Sequence, residues 1–309
     1  MHSHAGYLIN RVIQALVCIV GVSVIIFSIT HLIGDPVQLL MPAEASEADR
    51  LAYQKALGLD RSAVERYFLF LSNAMMGNLG ESYRFNMPVL DLVWDRFPAT
   101  LELAVAAIVL AVVLGVGTGI LSAVRPGSFW DKFFELFALS GMAAPTFWVG
   151  IMLIMVFSVD LGLFPSSGRS GPLSLVLPAV TLGWYSTAVI SRMTRSTMLE
   201  TLGADFVRTA VLKGAPGRVI IFRHCLKYIL PTLVTIVSLQ FVTLLAGAVI
   251  TETIFAWPGI GRLLIQSAYG GDYPVVQGIT LICSVLFVLI QLFADVVQFI
   301  LDPRIRQGQ

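Results

Sequence analysis

Residues 199–231 read LETLGADFVRTAVLKGAPGRVIIFRHCLKYILP, a polar and basic segment between two apolar runs of membrane length. In its first half, apolar side chains recur at helical spacing with polar side chains opposite them, which predicts a short amphipathic helix. Gly214 can adopt the positive φ that ends a helix, and Pro216 suits the start of the next one. We therefore expect a helix, a tight turn and a second helix that continues into the following apolar run. The apolar side consists of Leu199, Leu202, Phe206 and Ala210, and the polar side of Thr201, Asp205, Arg208 and Thr209.

The charge of this segment predicts which side of a membrane it faces. Within residues 192–230, only Glu200 and Asp205 are acidic, and basic residues clearly outnumber them. By the positive-inside rule, a loop so rich in Lys and Arg lies in the cytoplasm. The basic residues are Arg192, Arg195, Arg208, Lys213, Arg218, Arg223 and Lys227.

The composition predicts an integral membrane protein. Of the 309 residues, 57% are hydrophobic and 13% are charged, whereas soluble proteins carry about 25% charged residues. The mean hydropathy is +0.83. The net charge is only +1, so nothing in the charge balance points to nucleic acid as a partner. The expected surroundings are a lipid bilayer.

Six charge-free runs are long enough to cross about 30 Å of hydrocarbon at about 1.5 Å per residue. Six spans place both termini on the same side. Basic residues in the turn 125–132, in the loop 192–227 and at Arg304 and Arg306 of the tail put that side in the cytoplasm. The runs are 12–34, 103–124, 136–159, 170–191, 228–251 and 273–294.

The second of these runs carries small residues that predict a helix contact. Gly115, Gly117 and Gly119 form a small-residue face, and residues of this size let two membrane helices approach closely. We expect the contact to lie within this subunit rather than between subunits.

Residues 35–97 differ from the spans, because acidic residues outnumber basic ones there. This balance places the segment outside the membrane, opposite the basic loops. One helix is expected from Ser46 to near Gly58 and another from Ser62 to Met75, since each stretch begins with Ser followed by acidic residues and apolar positions. The segment is therefore predicted to form a small helical extracytoplasmic region.

The residues that catalysis or metal binding would need do not occur in the required patterns. None of the four lysines follows a glycine, so the chain has no phosphate-binding loop and ATP would have to be hydrolysed by another chain. The three cysteines and four histidines share no ligand spacing, so neither a metal nor a cofactor is expected. No serine-hydrolase elbow, zinc-protease motif or pair of carboxylates argues for hydrolysis. An intramembrane enzyme is therefore a poor hypothesis.

Glu252 ends the fifth run and precedes the stretch TIFAWPGIGRLL. Carboxylates at membrane depth usually face protein or water, which makes Glu252 a candidate functional residue. The alternative is a charge at the interfacial end of a helix. The sequence leaves these two interpretations open.

Several of these stretches resemble one family. DFVRTAVLKG at 205–214, followed by an Arg-His pair and a later Leu-Pro, resembles the EAA loop of permease subunits in binding-protein-dependent ABC importers, in the form found in the dipeptide, oligopeptide and nickel permeases. The family's Glu-Ala-Ala is Arg208-Thr209-Ala210 here, a departure typical of the peptide branch. The same family is resembled by GDP at 34–36, GNLGESYRFNMPV at 77–89, ETIFAWPGIGR at 252–262, DYPVVQG at 272–278 and DPRIR at 302–306.

The resemblance implies the type I ABC importer permease fold, in which a first helix wraps a core of five. It also implies a homologous second permease subunit, two ATP-binding subunits, an extracytoplasmic substrate-binding protein and a place in the bacterial inner membrane. In this family the turn at 210–216 docks into a cleft of the ATP-hydrolysing subunit. The coupling residues so implied are Asp205, Arg208, Thr209, Ala210, Lys213, Gly214, Ala215 and Pro216, and the pathway or gate candidates are Glu252, Trp257, Pro258 and Gly259.

The predicted organisation has four parts. They are the N-terminus with the first span at 1–34, the extracytoplasmic region at 35–97, a five-helix core at 98–302 that contains the coupling loop 192–230, and a cytoplasmic tail at 303–309. The expected substrate is a dipeptide or oligopeptide, with glutathione or nickel as alternatives within the family. A self-sufficient secondary transporter would show inverted repeats and ionisable residues at the midplane, and the charge-free centres of the runs argue against it.

Overall fold

The computed structural model describes residues 4–32, 46–56 and 60–301, together with Val37 and Met41. This described part is helical almost throughout, and its extended pairing is confined to one bridge between Glu81 and Pro88. An all-α membrane fold is therefore confirmed. The helices are α1 (His4–Leu32), α2 (Glu47–Ala56), α3 (Ala63–Met75), α4 (Val89–Val124), α5 (Phe129–Ala143), α6 (Thr146–Asp160), α7 (Pro172–Leu202), α8 (Asp205–Leu212), α9 (Gly217–Ile254), α10 (Ile260–Tyr269) and α11 (Tyr273–Leu301).

Five described helices, α1, α4, α7, α9 and α11, are long and apolar enough to cross a membrane. The remaining predicted span, 136–159, is not one straight helix, because α5 and α6 meet there at an angle of 109°. Pro145 causes the break, since it lacks an N–H and favours the extended conformation observed at Ala144 (φ −80°, ψ 128°). The bent pair together makes the sixth apolar segment.

Some helices extend beyond the charge-free runs that predicted them. α4 begins at Val89 rather than near residue 103, and α7 continues to Leu202 rather than to residue 191. The missing charges mark the hydrocarbon-length part of a helix, whereas the backbone hydrogen bonds continue into polar surroundings. Charge therefore predicts where the spans lie but not where their helices end.

The chain forms two compact units. The first comprises Met1–Pro98 and Gly259–Leu289, and the second comprises Ala99–Pro258 and Ile290–Gln309. Residues 259–289 thus belong with the N-terminal unit, which the order of the chain does not suggest.

In the second unit, α4, α7 and α9 pack around an apolar core. Leu103 and Ala107 of α4 are buried with Ile190 of α7, Leu244 of α9 and Trp257. Because membrane helices gain little from burial alone, this close fit of small and branched side chains is what holds them together.

Glycines bring α4 and α7 together within this core. A Cβ at Gly115 would lie 2.9 Å from the Cβ of Ile190, and a Cβ at Gly119 would lie 2.6 Å from the Cβ of Thr194. Gly117, by contrast, faces open space. The predicted small-residue contact is confirmed within the subunit for Gly115 and Gly119 and is wrong for Gly117.

In the first unit, the beginning of α4 packs against α10 and α11. Val89 is buried with Leu263, Val275 and Ile279. Gly278 permits this contact, because a Cβ at that position would lie 2.5 Å from Cγ1 of Val89.

The first unit also contains both helices predicted for the extracytoplasmic segment. At the start of α2, the Asp49 N–H donates to Oγ of Ser46 at 3.2 Å. At the start of α3, the Glu65 N–H donates to Oγ of Ser62 at 3.3 Å, while the Ser62 N–H donates to the Glu65 carboxylate at 3.2 Å. Such reciprocal capping fixes a helix start. Both helices are confirmed, and Gly58 lies outside the described residues.

Candidate functional site

The loop between α7 and α9 contains α8 and a tight turn, but its first helix is shorter than predicted. α7 ends at Leu202, and Ala204 is extended (φ −72°, ψ 151°) before α8 begins at Asp205. Gly203 stands at the end of α7, where its low helix propensity favours a stop. The single amphipathic helix predicted from Leu199 is therefore wrong, and Leu199 belongs to α7.

The interruption changes which side chains are buried. Val207 is buried in an apolar cluster with residues of α4, α7 and α9, whereas Phe206 is 39% exposed and its ring lies 5.2 Å from that of Tyr228. Thr201, which was placed on the polar side, is buried. These two assignments are wrong because helical phase counted from Leu199 does not carry across the non-helical Ala204.

The helix, turn and helix around Gly214 are confirmed. Gly214 has a φ of +77°, its N–H donates to the Val211 carbonyl at 2.9 Å, and the Ala215 N–H donates to the Ala210 carbonyl at 3.1 Å. Pro216 then precedes α9. The turn is therefore closed by its own backbone hydrogen bonds.

The outer surface of this turn carries charged and apolar groups side by side. The side chains of Asp205 and Arg208 are 97% and 74% exposed, with their nearest charged atoms 3.6 Å apart. Leu212 is 87% exposed and Val211 is 57% exposed. Large apolar side chains exposed next to charges are typical of a surface that another protein covers.

All eight predicted coupling residues lie in α8 or in the turn that follows it. Ala210 and Ala215 are half-buried against the apolar cluster. Thr209 is exposed and its hydroxyl donates to the Asp205 carbonyl at 3.0 Å. The structure thus separates a supporting face of small residues from an outward face with Arg208, Thr209 and Lys213.

A buried ion pair that sequence reasoning missed joins α5 to α7. Nε and Nη2 of Arg195 donate to Oδ1 and Oδ2 of Asp131 at 2.7 and 3.0 Å. The Ser122 hydroxyl also donates to Asp131, and the Gly127 N–H donates to Oδ2 at 2.8 Å. Asp131 is only 2% exposed. Because a carboxylate can accept about four hydrogen bonds, these donors satisfy the buried charge.

This network fixes α4, α5 and α7 to one another through Ser122, Asp131 and Arg195. Arg195 lies about two turns before the end of α7, after which the chain enters α8. In the sequence, Arg195 contributes only to the count of basic residues. A signal that could have found the pair is the lone acid between Arg125 and Lys132, three residues after the helix-capping Ser128.

The second predicted site surrounds Glu252, near the end of α9. Glu252 is fully buried, and the Thr100 hydroxyl donates to its Oε1 at 2.6 Å. The Trp257 N–H donates to the Glu252 carbonyl at 2.8 Å, and the Trp257 indole N–H donates to the Ala99 carbonyl at 2.8 Å. Glu252 therefore lies inside packed protein and not at a water-exposed helix end.

The chain leaves α9 through a sharp turn at Ala256, whose φ of +48° is unusual for a residue other than glycine. Phe255 and Trp257 on either side are almost fully buried, at 1% and 0% exposure. Burial of both neighbours holds Ala256 in this conformation. Pro258 follows, and Gly259 caps the start of α10 in the first unit.

Asp272 is a buried residue of the first unit that no local sequence pattern singled out. It accepts hydrogen bonds from the Ser82 hydroxyl at 2.5 Å, from the Tyr83 N–H at 3.0 Å and from the Arg84 N–H at 3.4 Å. A Cβ at Gly270 would lie 2.5 Å from Nη1 of Arg84. Two of the stretches that carried the family resemblance, at 77–89 and 272–278, are thus parts of one contact.

No metal centre is assigned within the described residues. They contain no group of three or more His, Cys, Asp and Glu side chains arranged to hold an ion. Cys18, Cys225 and Cys283 are not joined by disulfides.

Comparison with known proteins covers nearly the whole chain. Residues 115–307 match the family described as the binding-protein-dependent transport system inner membrane component, and residues 5–104 match the N-terminal region of such membrane components. The dipeptide transport system permease protein DppB of Escherichia coli is 38% identical over 97% of this chain and 98% of its own length. The glutathione permease GsiC of Escherichia coli and the oligopeptide permease AppB of Bacillus subtilis are each 37% identical, over 97% of this chain and 99% of their own lengths.

Among solved structures, the MetNI methionine ABC transporter in an inward-facing conformation matches with a TM-score of 0.59. The match covers 68% of this chain and 96% of the other, at 22% identity. At this identity the comparison shows the fold, which is that of an ABC importer permease.

Proposed function

Because this chain belongs to the family of binding-protein-dependent transport system inner membrane components, we propose that it is the permease subunit through which an ATP-driven importer takes up dipeptides or oligopeptides. Relatives that match over their full length are permeases for dipeptides, oligopeptides and glutathione. Glutathione is itself a short peptide, so the substrate class common to these relatives is a small peptide. Glutathione alone, or nickel, is the alternative.

The turn around Gly214 is the feature that best supports a role in coupling to the ATP-binding subunit. Its shape is set by its own backbone bonds, and its outward face exposes Arg208, Leu212 and Lys213. A surface of this kind stays intact without a partner and has apolar area left for one to cover. We assign Asp205, Arg208, Thr209, Ala210, Lys213, Gly214, Ala215 and Pro216 to contact with an ATP-binding subunit.

The other subunits are proposed from the family to which this chain belongs. Two ATP-binding subunits hydrolyse ATP, which agrees with a sequence that has no phosphate-binding loop. A homologous second permease forms the other half of the pathway, and an extracytoplasmic binding protein delivers the peptide. We assign Glu252, Trp257, Pro258 and Gly259 to a gate, which the burial of Glu252 and Trp257 supports.

The proposed orientation places both termini and the loop 192–230 in the cytoplasm and residues 35–97 outside, in the bacterial inner membrane. The charge asymmetry between these segments supports it. Ser46→Cys should react with an impermeant thiol reagent added to intact cells, and Ala215→Cys only after permeabilisation. Both positions are described, and Ser46 is exposed while Ala215 is half-buried. The opposite labelling pattern would contradict the proposed orientation.

The test of the function uses the assembled importer in liposomes, with its second permease, ATP-binding subunits and binding protein. Binding protein loaded with a dipeptide or an oligopeptide should raise ATP hydrolysis above the rate with unloaded binding protein, and labelled peptide should accumulate inside. Glutathione and nickel serve as parallel arms. If only glutathione or only nickel stimulated ATP hydrolysis, that substrate would replace the peptide assignment. ATP hydrolysis by the purified chain without its partners would contradict the proposal that separate subunits hydrolyse ATP.

A further inference from the structure

The exposed face of α3 has no role in the coupling or the gate. α3 belongs to the segment whose charge balance placed it outside the membrane, yet three of its large apolar side chains are strongly exposed. Val64 is 65% exposed, Phe68 is 63% exposed and Met75 is 77% exposed. They line a shallow groove along the helix together with Leu69 and Leu71, and the polar side chains of Arg61, Glu65 and Ser72 lie at its border.

The depth of α3 follows from its contacts with α1. The hydroxyls of Tyr67 and Ser23 are 2.9 Å apart, and the rings of Phe27 and Tyr67 lie 5.4 Å apart. Ser23 and Phe27 both fall inside the membrane-length part of α1, Ile13–Thr30. Ser23 lies seven residues before Thr30, about 10 Å along the helix from that end. α3 therefore packs beside the span and not beyond it.

The side chains of α3 divide into three sectors around its axis. Tyr67, Phe70 and Ala74 face α1 and the apolar core of the first unit. The apolar stripe of Val64, Phe68, Leu71 and Met75 recurs at three- and four-residue spacing on the next sector. The remaining sector includes Glu65, Ser72 and Asn73, with Leu69 between Glu65 and Asn73 and 41% exposed. A helix with one packed face, one exposed apolar stripe and one polar stripe has the pattern of a helix that lies in a membrane surface.

The neighbouring surface of α1 has the same character. Val17, Val20, Val24 and Ile25 of the span are between 43% and 67% exposed, which is expected of side chains that face lipid. α3 thus packs against a span whose exposed side chains are also apolar.

We propose that α3 is a membrane-surface helix whose stripe of Val64, Phe68, Leu71 and Met75 is covered by the acyl chains of the adjacent leaflet. The occupant is lipid and not a protein partner, because α3 packs against the membrane-length part of α1, whose exposed side chains are apolar as well. The polar sector with Glu65 and Asn73 then faces the headgroups and water. The segment 35–97 is therefore partly embedded.

The test measures the surroundings of single nitroxide labels on the full chain in liposomes of phosphatidylcholine and phosphatidylglycerol. Cys18, Cys225 and Cys283 are replaced by alanine, and labels are placed at Val64, Phe68 or Met75. Glu65 and Asn73 are the matched controls on the polar sector of the same helix. Oxygen concentrates in hydrocarbon and a nickel chelate stays in water, so the ratio of their collision rates with the label reports lipid or water.

The proposal expects oxygen to dominate at the three stripe positions and the nickel chelate to dominate at Glu65 and Asn73. Dominance of the chelate at the stripe would overturn it, because the stripe would then face water. Protection from both reagents, with an immobilised spectrum, would also overturn it, because protein would then cover the stripe. Neither result depends on transport, so the proposal stands or fails separately from the peptide importer assignment.

A second measurement covers the case in which a labelled variant does not fold. Phe68→Trp and Glu65→Trp change one side chain each in the otherwise native protein. Phosphatidylcholine with brominated acyl chains should quench the added fluorescence of Phe68→Trp more than that of Glu65→Trp, relative to the parent chain. Equal quenching of the two would contradict a lipid-facing stripe.

Discussion

Two aspartate–arginine pairs of the second unit have the same chemistry and different surroundings. Asp131 and Arg195 are 2.7 Å apart, with side chains 3% and 30% exposed. Asp205 and Arg208 are 3.6 Å apart on one turn of α8, with side chains 97% and 74% exposed. The first pair holds three helices together, whereas the second contributes little to the fold and is free to meet a partner.

The buried pair stabilises the fold, whereas the exposed pair lies on the surface that we propose contacts the ATP-binding subunit. Breaking a buried pair leaves a charge that protein no longer satisfies, whereas breaking an exposed pair leaves both charges in water. Changes at Asp131 should therefore act on the amount of folded protein, and changes at the turn should act on what the folded protein binds. Three substitutions test whether buried and exposed contacts differ in this way.

Asp131→Ala is expected to have the largest effect. It removes the acceptor shared by Arg195, Ser122 and the Gly127 N–H. We expect the free energy of unfolding to fall by about 3 kcal/mol. This value is at the lower end of the range for a broken buried ion pair, because Arg195 remains partly exposed. Thermal unfolding in detergent and the amount of protein in the membrane measure it. Lys132→Ala, at the exposed neighbouring position, is the control, and equal melting of the two variants would contradict a structural role for the pair.

Thr100→Val is expected to have an intermediate effect. It keeps the shape of the side chain but removes the hydroxyl that donates to Glu252 at 2.6 Å. Removing a donor to a buried acceptor costs about 1 to 3 kcal/mol. The same unfolding measurement applies, with Thr253→Val as control, because Thr253 is exposed on the same helix as Glu252. If Thr100→Val and Thr253→Val unfold at the same temperature, the contact with Glu252 does not stabilise the fold.

Asp205→Ala is expected to have the smallest effect on stability. The nearly full exposure of the side chain leaves its attraction to Arg208 screened by water. The unfolding temperature should match that of the parent chain, while recovery of the ATP-binding subunit should fall. A clear loss of unfolding temperature would show that the exposed pair supports the fold after all.

Much of this fold could be predicted from sequence where one local signal sufficed. Charge-free runs located the spans, Ser62 and Glu65 located the start of α3, and Gly214 located the turn. Each of these depends on residues close together in the chain, so its physics is complete in a short window. The angle between α5 and α6 was missed, since Pro145 predicts a break but not its direction.

Contacts between distant residues could not be predicted in this way. Asp131 and Arg195, like Ser82 and Asp272, meet only after helices have packed, and neither pair has a local pattern that names its partner. The buried position of Val207 was missed for a related reason, because the interruption at Gly203 reset the helical phase. The roles assigned to the turn and to Glu252 stay predictions.

We propose that the turn around Gly214 is a contact for the ATP-binding subunit and not part of the core. Gly214 has a φ of +77° and open space where a Cβ would lie, so Gly214→Val meets no neighbour but adopts this φ only at a cost on the order of 1 to 3 kcal/mol. Gly77→Val is the matched control, since Gly77 has a φ of +80° and equally open space in the first unit.

The deciding measurement is recovery of the ATP-binding subunit with the affinity-purified chain, together with peptide uptake, at matched membrane abundance of the two valine variants. We expect that Gly214→Val no longer recovers the ATP-binding subunit and no longer supports peptide uptake, whereas Gly77→Val does both. Normal recovery and normal uptake with Gly214→Val would contradict it, and the turn would then be only a loop between two helices.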